Sequence, residues 1–163
     1  MNKEHLYLTS LVIIYTSVCA IRSIWPRIEA PKLCLYNNFI SKPVIGRTLA
    51  TFAEISFAIF WVVNTKVILN NIKPFKSKDI LLKINSSLTY LIITAQIFCW
   101  IGLITGDPSY NAIEESLWAI FASIKFITYI IIYLNIINSK KLSDLEIKKH
   151  IPIMLICIIL YIV

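Results

Sequence analysis

The sequence predicts an all-α integral membrane protein: a bundle of four transmembrane helices followed by a short fifth apolar run. Three observations carry that expectation. Of the 163 residues, 58% are hydrophobic and 15% charged, against ~45–50% and ~25% in a soluble domain. The charges cluster between apolar blocks rather than alternating within them. Four of the blocks reach the ~20 residues needed to cross about 30 Å of hydrocarbon. With three Gly, six Pro, no low-complexity tract and no internal repeat, a single polytopic domain over 1–163 is expected.

The first span is read at 6–25. Ser17-Val-Cys-Ala20 loosely resembles a signal-peptide cleavage site, which gives a competing reading. Lys3 offset by Glu4 makes a weak n-region, and Arg22 and Trp25 suit an interfacial anchor, so an uncleaved helix is expected. Pro26 ends it, because proline lacks an N–H and biases its predecessor away from α. A proline-containing basic loop over 26–46 follows, with Ser41 as cap of the next helix.

The second span, 48–69, carries Glu54 inside and Arg47 at its edge. Seven residues rotate through nearly two turns, so Arg47, Thr51 and Glu54 line one face. Lys66 can snorkel at the far end. After a basic loop over 70–83 comes the third span, 85–104, capped by Asn85 or Ser86 and holding Gln96, Cys99 and Trp100. A tight turn at 105–110 leads to the fourth span, 112–137. The last run, 151–163, has 13 residues, which is short for a span; it reads as a half-inserted helix or as part of a longer segment.

The net charge of +7 would suggest nucleic acid in a soluble protein. Here the lysines flank apolar segments, so they read as orientation signals and nucleic acid is not an expected partner. The N-terminus and the 70–83 and 138–150 loops hold nine Lys, against five Lys or Arg on the other side. That balance puts the N-terminus in the cytoplasm. Basic loops also attract anionic headgroups, at ~1 kcal/mol per Lys or Arg.

Several polar groups then fall near the external side: Arg47, Glu54, Gln96, Trp100, Glu114, Glu115 and Trp118, with Lys125 deeper. An isolated charge at mid-membrane costs ~2.5–3.5 kcal/mol on insertion scales, so a bundle turns such groups inward and pairs them. At ~100° per residue, Glu114, Trp118, Phe121 and Lys125 share one face, and Glu115 points elsewhere. A Glu54–Lys125 ion pair is expected, with Arg47 close to Glu114. Plainer roles remain open. Asn111 and Glu114 have capping-box spacing, Glu115 is favourable at a helix N-terminus, and Trp25, Trp100 and Trp118 suit interface anchors.

Other chemistries lack their residues. None of Cys19, Cys34, Cys99 and Cys157 forms a CxxC pair, which argues against thiol-redox chemistry; Cys34, in a loop, is the one expected to be reactive or bridged. His5 and His150 lie at segment ends, so no haem ligand pair, zinc cluster or other cofactor site is expected. The adjacent Glu114 and Glu115 have the E-E of CAAX-type intramembrane proteases, but the arginine of that motif is Ala119 here. The stretch 112–118 is similar to the P-x-E-E-x-x-F signature of membrane lycopene cyclases, with Ala112 and Trp118 replacing its proline and phenylalanine. Neither motif is complete.

Three function classes stay open. The first binds or modifies a lipid or isoprenoid-like amphiphile. In an enzyme Glu114 or Glu54 would move the proton, while Arg47 and Lys125 would stabilise negative charge. Trp100, Trp118, Gln96 and Glu115 would help form the pocket. The second is a transporter with a Glu54/Gln96/Lys125 relay, which with so few helices would need a homo-oligomer. The third is an assembly subunit whose charges only hold helices together.

Overall fold

The computed structural model describes residues 3–24, 27–28, 33–34, 39, 42–137 and 142–162. The chain is an all-α bundle: α1 (Lys3–Ile24), α2 (Pro43–Asn71), α3 (Lys78–Thr105), α4 (Ser109–Ile136) and α5 (Leu142–Ile162). Between α1 and α2 lies a minimal antiparallel ladder, β1 (Arg27–Ile28) on β2 (Leu33–Cys34), with Arg27 opposite Cys34. α1 to α4 are long and apolar enough to cross a membrane, so the chain is a multi-pass membrane protein. Trp25, Pro26, Ser41 and the 138–141 loop lie outside the described residues, as does the side chain of Cys34.

α2, α3 and α4 start earlier than hydropathy suggests. Apolar runs mark what sits in hydrocarbon, whereas helical hydrogen bonding continues through polar residues at either end. At 28 or 29 residues each, they extend ~42 Å, more than the ~30 Å core requires without tilt. α2 begins with Pro43 in its first turn after Lys42, which makes no side-chain cap bond. Proline fits there because that N–H would be unpaired in any case. α3 begins at Lys78, so Asn85 and Ser86 are interior residues and not caps. Its C-terminus closes on Gly106 at φ 73°, whose N–H donates to Gly102 O at 2.9 Å; glycine takes this left-handed conformation without a Cβ penalty.

The turn into α4 is organised by Asp107. Its Oδ1 accepts from Ser109 N at 2.9 Å and Ser109 Oγ at 2.7 Å. These two donations hold its carboxyl below the usual carboxylate range. The expected Asn111–Glu114 capping box is not formed: the helix has already begun at Ser109, and Glu114 faces the interior. A side chain at Gly102 would bring a Cβ to 2.7 Å from Asn111 Oδ1 and 3.2 Å from Tyr110 Cβ. A Cβ there would displace the exposed Asn111 side chain and crowd Tyr110, so the glycine eases the contact between α3 and α4.

Successive helices pack on one another: α1 on α2, α2 on α3, α3 on α4 and α4 on α5. One core cluster joins Leu69, Leu81, Tyr129, Ile132 and Ile151. The other joins Ala58, Leu88, Ile92, Ala95, Trp118 and Phe121. Leu6, Ile13, Phe52, Tyr90, Ile104, Ile127 and Leu134 are exposed, an apolar outer surface suited to lipid.

The short fifth element is present as α5, which starts ahead of the apolar run read at 151–163. The helix begins at Leu142, carries Pro152 inside it and spans 21 residues, but its first half is polar. Pro152 removes one intrahelical bond. Lys148 Nζ caps the end of α4 by donating to Ile137 O at 2.6 Å, where the helix dipole favours a cation.

Candidate polar chamber and aromatic cavity

Arg47 lies in the second turn of α2 and Glu114 in the second turn of α4. Both therefore sit at the end of the bundle that holds the α3–α4 turn, and their side chains meet. Arg47 Nη2 donates to Glu114 Oε1 at 2.7 Å and Gln96 Oε1 at 3.0 Å, and reaches Glu54 Oε2 at 3.4 Å. Gln96 Nε2 donates to Glu54 Oε2 at 2.6 Å, so one amide from α3 bridges the cation and a carboxylate of α2. Glu114 is 6% exposed and Gln96 3%. Burial strengthens each of these bonds and raises the cost of losing one. Trp100 Nε1 donates to Thr51 Oγ1 at 3.1 Å beside them. Arg47 Nε is buried with no partner among the described residues, uncommon for a buried N–H.

The anticipated Arg47/Thr51/Glu54 face and the Arg47–Glu114 contact are therefore present. The Glu54–Lys125 ion pair is not. Lys125 is 1% exposed, and its Nζ donates to Trp61 O and Thr65 Oγ1, each at 3.0 Å, and to Asn85 Oδ1. Helical phase puts Glu54 and Lys125 on faces that look at each other, but axial register separates them. Thr65 lies eleven residues beyond Glu54, ~16 Å along α2. Asn85 is the residue that sequence reading missed. It stands at the edge of an apolar run, so it resembled a cap. Inside α3 it is 2% exposed and also donates Nδ2 to Val62 O at 2.9 Å. Tyr129 Oη lies 3.1 Å from Thr65 Oγ1, extending a polar clasp across α2, α3 and α4.

Counted as formal charges, the two centres are of opposite sign. Arg47 faces two carboxylates, leaving one negative charge over. Lys125 has three neutral oxygen partners and no carboxylate within salt-bridge distance among the described residues. Its three protons match its three acceptors, so the ammonium is satisfied without a counter-ion. Its Nζ also lies 5.7 Å from the Phe121 ring centroid, within cation–π range.

Each centre borders a cavity. A polar chamber of about 320 Å³ is lined by Tyr15, Cys19 and Arg22 of α1, Arg47 and Glu54 of α2, and Glu114, Glu115 and Trp118 of α4. An apolar cavity of about 220 Å³ is lined by Phe57, Trp61, Trp118, Phe121, Lys125 and Cys157, among others. Trp118 belongs to both walls. It is 5% exposed and so is a core residue, not the interface anchor expected from its sequence position. Its ring packs edge-on against Phe121 at 5.6 Å, and Phe57 links Tyr15 at 4.8 Å to Trp61 at 6.1 Å. Glu115 is exposed at the chamber's rim, one helical step from the buried Glu114, as its phase predicts.

Among the described residues no group of three His, Cys, Asp or Glu side chains is placed to hold a metal ion. Cys19, Cys99 and Cys157 are free thiols. No family model, curated protein or solved structure matches this chain.

Proposed function

We propose that the protein binds a lipid or isoprenoid-like amphiphile inside the bundle. The head would lie in the polar chamber and the chain would reach past Trp118 into the aromatic cavity. The observation that carries this reading is Trp118, which lines both the polar and the apolar space. Ligand sites are typically ~300–1,000 Å³, mostly apolar, with a few convergent polar groups. If the bound molecule is also converted, Glu114 and Glu54 are the groups that could move a proton at its head, with Arg47 stabilising developing negative charge. The relay of a transporter is less favoured, because Lys125 belongs to a separate centre ~16 Å from Glu54 by helix rise.

Lipid mass spectrometry of the protein purified in dodecyl maltoside tests the reading. The wild-type chain is expected to retain an amphiphile in near-stoichiometric amount after detergent exchange. Ala122 of α4 also lines the apolar cavity, and Ala122→Leu, which adds bulk to that wall, is expected to lose most of the amphiphile at unchanged gel-filtration behaviour. Retention of bulk lipids only, equal in both proteins, would sink the idea.

The excess of Lys in the N-terminal, 70–83 and 138–150 segments supports a cytoplasmic N-terminus, an orientation that would turn the chamber toward the exterior. In a chain stripped of its own cysteines, Asp107→Cys should react with an impermeant maleimide added to intact cells. Protection of that thiol would put the chamber at the cytoplasmic face instead.

A further inference from the structure

We infer that the head group taken by the polar chamber is cationic, an amine or quaternary ammonium on an apolar chain. The inference rests on the amphiphile reading above and adds the charge of the ligand. Among the described residues Arg47 is the one cation hydrogen-bonded within the centre, and it faces both Glu54 and Glu114. Its guanidinium can balance one carboxylate, so by formal charge the centre keeps one negative charge in excess within a mostly apolar bundle. Lys125 cannot supply the balance, because all three of its protons are committed to neutral oxygens at the other centre. Arg22 and Glu115 also line the chamber, but both are exposed and of opposite sign, so together they leave the excess unchanged.

A carboxylate or phosphate head would add to this charge and meet an arginine already matched twice. A neutral head would leave the charge where it is. A cation would offset it, and the walls suit one. Tyr15 and Trp118 border the chamber on opposite helices, and aromatic faces attract ammonium groups within about 6 Å of the ring. Tyr15 is held in place by stacking on Phe57 at 4.8 Å. Carboxylate and aromatic surfaces together are the usual means of recognising quaternary ammonium, which cannot donate hydrogen bonds. α1 packs on α2, and residues of α1, α2 and α4 line the chamber.

The test is equilibrium dialysis of radiolabelled dodecyltrimethylammonium, dodecanol and dodecanoate against the full chain in dodecyl maltoside. Wild type is expected to bind the ammonium about tenfold more tightly than the alcohol, and the carboxylate least, as expected for an unbalanced buried carboxylate. Glu54→Gln removes the excess charge at nearly constant shape and should erase the ammonium preference while leaving the alcohol unchanged. Equal binding of ammonium and alcohol, or tightest binding of the carboxylate, overturns the cationic inference and leaves the amphiphile reading standing. Absence of saturable binding by all three overturns both. Should Glu54→Gln not fold, the order of the three probes on the wild-type chain decides the matter by itself.

Discussion

Arg47→Met is expected to destabilise the bundle by about 3–5 kcal/mol, the cost of removing one partner from a buried ion pair. A single nitrogen, Nη2, serves Glu114, Gln96 and Glu54. Without it Glu114 Oε1 loses its 2.7 Å donor, and two carboxylates are left near each other with no cation between them. Gln96 can still serve Glu54 but not Glu114 as well. Arg47→Lys should recover little, because a compact ammonium lacks the planar fork that reaches several acceptors at once. Neutralising everything should recover most of the loss, since removing both sides of a buried pair can be close to neutral. The measurement is unfolding in mixed dodecyl sulfate and dodecyl maltoside, followed by circular dichroism. Arg47→Met should unfold at a lower dodecyl sulfate fraction than the triple variant Arg47→Met/Glu54→Gln/Glu114→Gln; an order reversed between them would refute the account.

The second large effect belongs to Asn85, and it separates two arrangements of the same charges. Asn85→Leu deprives the Lys125 ammonium of one of its three acceptors and Val62 O of a donor. Hydrogen bonds to charged groups contribute ~1.5–3 kcal/mol, so a loss of roughly 2–3 kcal/mol is expected from this one substitution. Lys125→Met in the same chain should return part of it, because the buried cation that lacked a partner is gone. The coupling energy of that cycle should be well above the ~0.5 kcal/mol scatter of independent sites. A Glu54→Gln/Lys125→Met cycle, by contrast, should be additive, since those residues sit ~16 Å apart along the bundle by helix rise. Strong coupling in the second cycle and none in the first would restore a Glu54–Lys125 pair and refute the clasp.

That contrast also measures how far the sequence could be read. Four apolar runs between basic loops were enough for the bundle, because hydrocarbon thickness fixes the length of a spanning helix. Helical phase was enough for the face of Arg47, Thr51 and Glu54 and for the buried stripe of Glu114, Trp118, Phe121 and Lys125. Phase is an angle, however, and says nothing of where two helices sit along their common axis. Register comes from contacts such as Gly102 against Asn111 and from the true starts of α2 and α3, neither of which hydropathy marks. By angle alone Lys125 pairs with Glu54, whereas in space it meets the neutral oxygens of Trp61, Thr65 and Asn85. Trp118 failed for a related reason: tryptophan near a span's end is commonly interfacial, but α4 places this one on the stripe that faces inward.

The opposed charges of the two centres have an electrical consequence. Glu114 and Lys125 are eleven residues apart on α4, so excess negative and positive charge are held ~16 Å apart along the bundle, about half the hydrocarbon thickness. One charge moved through a full membrane potential changes energy by ~2.3 kcal/mol per 100 mV. The bundle's built-in dipole is therefore worth about 1 kcal/mol per 100 mV. If the N-terminus is cytoplasmic, Lys125 would lie on the inner, negative side of Glu114, and a resting voltage would reinforce the fold while depolarisation would withdraw that support.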